Sequence, residues 1–267
     1  MSDVLNTVYL GIIEGITEFL PISSTGHLLI AEHWLGERSE LFNVAIQSGA
    51  FLAIVLIYWR RLLSLLTGWS QPENRDYAVK YAASVLITLV LAFAADRIGF
   101  KLHDAVKPIA LAMLAGGLLI LVIERAVAGR PQLESLTWNV AIWVGVAQVI
   151  AGVFPGTSRS AAAIFAAMLA GLTSRPAATE FAFLVGIPIM FVATGYLYAK
   201  TQHGGAAPVH EDWNALAIGF VVSGIVAFIS VKWLLQYVRS HRFTLFAWYR
   251  IIVGVALLAM VAEGTLS

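Results

Sequence analysis

The chain has no cysteine in its 267 residues, which excludes disulfides, thiolate zinc sites and cysteine nucleophiles. Charge is scarce as well. Asp, Glu, Lys and Arg together make 12% of the chain, against about 25% in an ordinary soluble domain. The 17 basic and 16 acidic residues nearly cancel to +1, so no basic surface suggests a nucleic-acid partner, and none is expected. Met1-Ser2-Asp3-Val4 carries no basic n-region and no small-residue cleavage site follows, so no removable signal peptide is expected. What is abundant is apolar surface, at 59% of residues. Several apolar runs approach or exceed the roughly 20 residues that cross a bilayer as a helix. These features predict an all-α polytopic membrane protein.

Along the chain, a short apolar segment at 4–20 is broken at Pro21, and a second short piece runs 24–35. Proline lacks an amide donor and disfavours helix at the residue before it. The two pieces read as a re-entrant helix hairpin, with full spans expected at 41–66, 78–95 and 109–127. The pattern then recurs: a short segment at 139–154, a break at Pro155, a short helix at 160–172, and spans at 179–198, 215–238 and 246–262. The breaks lie 134 residues apart, half the chain, and at that offset Gly11 meets Gly145, Glu14 meets Gln148, Pro21 meets Pro155 and Ser24 meets Ser158. Three crossings per half make the second half inverted. The expected architecture is therefore one membrane domain over 1–267, built of two inverted repeats (about 1–130 and 135–267) with six full spans and four half-helices. Such repeats place their site near the midplane, where they meet.

Counting basic residues by side sets the orientation. Arg60, Arg61, Arg75, Lys80, Arg125, Arg130, Arg175, Lys232, Arg239 and Arg242 collect on one face; Arg38, Arg97, Lys101, Lys107 and Lys200 collect on the other. Ten against five makes the first face cytoplasmic. Trp59, Trp69, Trp138, Trp213 and Trp248 fall near span ends and read as an interfacial aromatic belt.

The polar residues concentrate at the two breaks. Glu14 and Glu18 share one face of the first half-helix. Two like charges near a helix C-terminus oppose each other and the macrodipole, so a divalent metal, Arg159 or a proton must compensate. After Pro21, Ser23 or Ser24 can cap the next half-helix, whose free amides would bind phosphate. Ser24 and His27, three apart, can share a face, so the imidazole could take a hydroxyl proton or give one to a leaving oxygen. Pro155-Gly156-Thr157-Ser158-Arg159-Ser160 repeats the arrangement with an arginine fork that matches phosphate oxygens. An arginine at membrane depth without an anion would be very costly. Gln47 and Glu180 could line the site, and Arg250 could pair with a carboxylate or approach the phosphate. His33 reads as interfacial, and His103, His203, His210 and His241 as solvated loop residues.

Glu14-Gly15-Ile16-Thr17-Glu18-Phe19-Leu20-Pro21-Ile22-Ser23-Ser24-Thr25-Gly26-His27 and Pro155-Gly156-Thr157-Ser158-Arg159-Ser160 resemble the two signatures of the bacterial undecaprenyl pyrophosphate phosphatases, also called bacitracin-resistance proteins. The resemblance covers essentially the whole chain, including Ala178-Thr179-Glu180-Phe181. It implies an undecaprenyl-diphosphatase of the bacterial cytoplasmic (inner) membrane, recycling the lipid carrier of peptidoglycan synthesis from a site open to the outer face. It also implies a divalent metal such as Mg or Ca and a tendency to form homodimers. Carried onto this chain, Glu14 and Glu18 are the acidic, metal-holding pair. Ser24 is the candidate nucleophile, with water as the alternative, His27 is the acid/base and Arg159 is the phosphate clamp. Ser23, Thr25, Gly156, Thr157, Ser158 and Ser160 surround the substrate. One departure stands out: Ala163 occupies a position where the family commonly has threonine. A lipid-phosphate flippase built on the same repeats is the alternative function, and a non-catalytic lipid-phosphate binder is a further one.

Overall fold

The computed structural model describes residues 3–99, 105–203 and 212–266; the expectations for Lys101, His103 and His210 lie outside them, as does the side chain of His203. Among the described residues there are eleven helices and no strand. Helices α1 (Asp3–Thr17) and α2 (Ser24–Leu35) form the first hairpin, and α7 (Trp138–Val153) and α8 (Arg159–Leu169) the second. Between and after them run α3 (Glu40–Ile57), α4 (Trp59–Thr67), α5 (Pro72–Arg97), α6 (Val106–Val127), α9 (Arg175–His203), α10 (Trp213–Tyr237) and α11 (Thr244–Ala262). Six of these, namely α3, α5, α6, α9, α10 and α11, are long and apolar enough to cross a membrane.

One expected span is shorter than the sequence suggested. Residues 41–66 are not a single helix, because α3 ends at Tyr58 and α4 starts anew. The reason is the residue pattern of α4: Trp59, Leu63 and Leu66 are exposed, while Arg60 and Arg61 interrupt the apolar run. That composition suits a helix lying along an interface rather than one buried in hydrocarbon.

Both hairpins are closed at their open ends. In the first, Asn6 Nδ2 donates to the Leu35 carbonyl at 2.7 Å and Arg38 pairs with Asp3 at 2.6 Å. In the second, Asn139 Nδ2 donates to the Ala170 carbonyl at 3.2 Å. Three of the six candidate spans, α3, α5 and α6, separate the first hairpin from the second. Helix α1 packs on α10, while α7 packs on α5. Small residues permit both contacts: a Cβ on Gly15 would come within 2.7 Å of the Ser223 carbonyl, and one on Gly145 within 2.8 Å of the Ser84 carbonyl. Each hairpin thus packs against a span from the other half of the chain, and the tips meet in the interior. There Phe19 sits edge-on between Phe51 and Phe183, with ring centroids 4.9 and 5.0 Å away.

Candidate active site at the hairpin tips

Both hairpins turn with the same backbone. Ser23 has φ 76° and Ser158 φ 71°, and these are the non-glycine residues with positive φ among the described residues. Such conformations cost on the order of 1–3 kcal/mol each and persist where the surroundings enforce them. Each serine caps the helix it precedes: Ser23 Oγ accepts from the Gly26 amide and Ser158 Oγ from the Ala161 amide. The N-termini of α2 and α8 are therefore presented at the breaks. Gly156, at φ 87°, lies so close to α6 that a Cβ would meet the Ile109 carbonyl at 2.8 Å.

The two breaks expose backbone carbonyls, and Arg250 of α11 takes several of them. Its guanidinium is fully buried. It donates to the carbonyls of Pro21 (3.4 Å), Gly156 (3.0 Å) and Thr157 (3.1 Å), and to Ala112 (3.0 Å) and Met113 (3.2 Å) on α6. The expectation that Arg250 pairs with a carboxylate is corrected by this arrangement, in which its partners are backbone carbonyls. The cation answers carbonyls from both breaks and ties both tips to α6.

The tips bring most of the sequence-derived residues together. Ser24 Oγ donates to Glu18 Oε2 at 2.5 Å. The other oxygen of Glu18 lies 3.7 Å from Arg159 Nη2, which also donates to Gln47 Oε1 at 2.8 Å. Arg159 Nη1 points at the Met190 sulfur. Ser160 Oγ donates to the Leu20 carbonyl at 3.1 Å, joining one tip to the other, and lies 3.1 Å from Ser158 Oγ. Glu14 is fully buried beside Glu18, and neither of its oxygens has a hydrogen-bond partner. Glu14, with both oxygens orphaned, and the adjacent Glu18 form a donor set that suits a hard divalent cation, with further ligands left to come from a phosphate or water.

Both ring nitrogens of His27 are bonded to groups other than the Ser24 hydroxyl. Its Nδ1 lies 2.7 Å from the Ser23 carbonyl, and its Nε2 lies 2.7 Å from the Tyr249 hydroxyl, with the two rings stacked. A carbonyl only accepts, so Nδ1 carries the proton and Nε2 accepts from Tyr249. The Ser24 proton thus faces Glu18, and the imidazole faces a tyrosine. Thr25 is exposed and Thr157 is half-buried, contributing its carbonyl to Arg250. Glu180 is not at the tips; it lies 3.6 Å from Arg61, where α3 meets α4. Ala163 is buried on α8 in the apolar core.

Two residues at the site were not singled out as functional from sequence. Gln148 lines the narrow cleft beside Glu18, Arg159 and Ser160, its Oε1 buried and unpartnered. Its signal was the 134-residue offset that aligns it with Glu14. Tyr249 had no signal, since its contact with His27 spans 222 residues.

The family profile described as "Bacitracin resistance protein BacA" matches residues 7–256. A Rhizobium etli protein named undecaprenyl-diphosphatase is 61% identical over 266 residues, covering 99% of this chain and 100% of the relative. A Rhizobium leguminosarum bv. trifolii protein of the same name is 60% identical over 98% of each chain. One from Xanthomonas oryzae pv. oryzae is 52% identical over 97% of each. A profile match over nearly the full length, with relatives at these identities and both signature stretches at the hairpin tips, places this chain in the bacitracin resistance protein BacA family.

Proposed function

We propose that the protein is an integral membrane phosphatase that hydrolyses undecaprenyl pyrophosphate to undecaprenyl phosphate and phosphate. It would thereby recycle the lipid carrier of peptidoglycan synthesis and confer bacitracin resistance. The observation that carries the reading is the contact between Ser24 Oγ and Glu18 at the meeting point of two helix N-termini, with Arg159 beside it. The relatives' name agrees with it.

In this mechanism the pyrophosphate lies against the amides at the starts of α2 and α8, with the Arg159 fork on its oxygens. Ser24 Oγ attacks the terminal phosphorus while its proton passes to Glu18 Oε2. The bond from that phosphorus to the bridging oxygen breaks, and undecaprenyl phosphate leaves. Water then attacks the phosphoserine, with Glu18 returning the proton to Ser24. Arg159 stabilises the charge gathering on the phosphoryl oxygens. His27, oriented by Ser23 and Tyr249, handles the proton of the leaving oxygen or of the incoming water. Glu14 and Glu18 would hold a divalent metal such as Mg or Ca, which supplies charge neutralisation for the pyrophosphate when bound.

The two halves of the chain, each a hairpin and three spans, read as inverted repeats of one membrane domain. The crossed packing of α1 on α10 and α7 on α5 supports that reading. The basic residues gathered where the second hairpin opens support a cytoplasmic placement of that end in a bacterial inner membrane, with substrate entering from the outer face.

The test is phosphate release from undecaprenyl pyrophosphate by detergent-purified protein, with and without chelator, followed by light-scattering mass in the same detergent. Metal-dependent release supports the phosphatase, and a doubled mass supports the homodimer. Transfer of the lipid between leaflets with no phosphate release would establish the flippase instead.

A further inference from the structure

A second cavity lies away from the hairpin tips. It encloses about 510 Å³ where α3 passes into α4 and where the starts of α5 and α9 meet the end of α10. It shares no lining residue with the cleft beside Arg159. Its charged walls are Arg61 and Arg239 on one hand and Glu134 and Glu180 on the other, with Tyr58 among them. Leu136, Leu172 and Leu235 give it an apolar lining. The position, at the ends of four spans, is that of a headgroup region.

The charged groups are incompletely satisfied by one another. Arg61 and Glu180 stand 3.6 Å apart, and Arg61 Nε is buried without a hydrogen-bond partner. The Arg61 guanidinium lies 4.1 Å over the Tyr77 ring, which fixes its plane. Glu134 receives only a 3.3 Å contact from Ser174 Oγ. Arg239 is exposed at the rim. Burial pushes the Tyr58 hydroxyl up from its ordinary value, so it stays protonated and can donate.

Two fixed cations and two carboxylates face one space, so the occupant must answer both signs. A pyrophosphate would gain the arginines but meet two like charges. A phosphodiester or phosphomonoester that also bears an amine answers both. The amine must carry N–H groups, because carboxylates accept hydrogen bonds. A quaternary ammonium has no such hydrogens and relies on aromatic faces, and the face of Tyr77 is already covered by Arg61. We propose that this cavity is a binding site for a phosphoethanolamine group, with the phosphate between Arg61 and Arg239 and the ammonium between Glu134 and Glu180.

Such a group occurs in a phospholipid headgroup or as free phosphoethanolamine, and the experiment separates the two. Binding of dioctanoyl phosphatidylethanolamine, phosphatidylcholine and phosphatidylglycerol to the full-length protein in detergent is measured by calorimetry, beside free phosphoethanolamine. The expected result is saturable binding of phosphatidylethanolamine at least about tenfold tighter than of the other two lipids, a difference near 1.4 kcal/mol. Free phosphoethanolamine binding as tightly as the lipid would assign the site to the soluble molecule; binding of the lipid alone would assign it to the membrane. Arg239→Glu and Glu134→Lys both change exposed side chains, and each should weaken phosphatidylethanolamine binding about tenfold or more. Equal binding of the three lipids, or phosphatidylethanolamine binding unchanged in both variants, would overturn the assignment.

Discussion

The hydroxyl of Ser24 donates to Glu18 Oε2 across 2.5 Å, from the start of one half-helix to just beyond the end of the other. The chain reverses between them, so the break at Pro21 makes the contact. A hydroxyl already engaged with a carboxylate has its acceptor in place before substrate arrives. Ser24→Ala and Glu18→Gln should each lower kcat by about 100- to 10,000-fold, the usual range for losing a base. Both should retain lipid binding. Rapid-quench capture of a phosphorylated protein in the intact enzyme, absent in Ser24→Ala, would separate serine attack from water attack.

Arg159 joins the second tip to the first through Glu18 and Gln47. Arg159→Lys keeps the charge but loses the fork, and should reduce kcat by about 100-fold or more if the guanidinium stabilises the transition state. Gln47→Ala removes only a group that orients the arginine and should cost roughly tenfold, well short of the loss from removing a charge-stabilising donor. Steady-state phosphate release reads both. Near-normal hydrolysis in Arg159→Lys would remove the clamp.

Tyr249 should matter through His27 alone. Tyr249→Phe removes the hydroxyl bonded to Nε2 while keeping the stacked ring. It should lower kcat about tenfold, near the net worth of one hydrogen bond, with KM little changed. In a double-mutant cycle with His27→Ala the two losses should not add. Additive losses would show that the tyrosine acts independently of the histidine.

Arg250→Met would leave five carbonyls without their donor in the interior of the bundle. A buried acceptor left unsatisfied costs about 1–3 kcal/mol. The variant should unfold at a clearly lower temperature in detergent and lose hydrolysis, because both tips lose their shared anchor. Arg250→Lys, with a single ammonium in place of the fork, should recover only part of either property. A variant of normal stability that still lost activity would place Arg250 on the substrate instead of on the backbone.

The sequence by itself determined the membrane class, the two broken hairpins and the residues at their tips. Those are local matters: apolar length decides what spans, proline and serine decide where a helix stops and restarts, and ionisable groups in apolar stretches mark the site. The break at Tyr58 is not legible from hydropathy, because a window that spans 41–66 stays apolar on average across Arg60 and Arg61. Pairing was the work of tertiary structure. Sequence spacing put Ser24 and His27 on one face and suggested that they share a proton, yet the reversal of the chain hands Ser24 to Glu18, and α11 hands His27 to Tyr249. Its place within an apolar span made Arg250 look like a partner for an anion. Only the convergence of the two breaks shows why a buried guanidinium is stable among carbonyls, since that convergence joins segments more than a hundred residues apart.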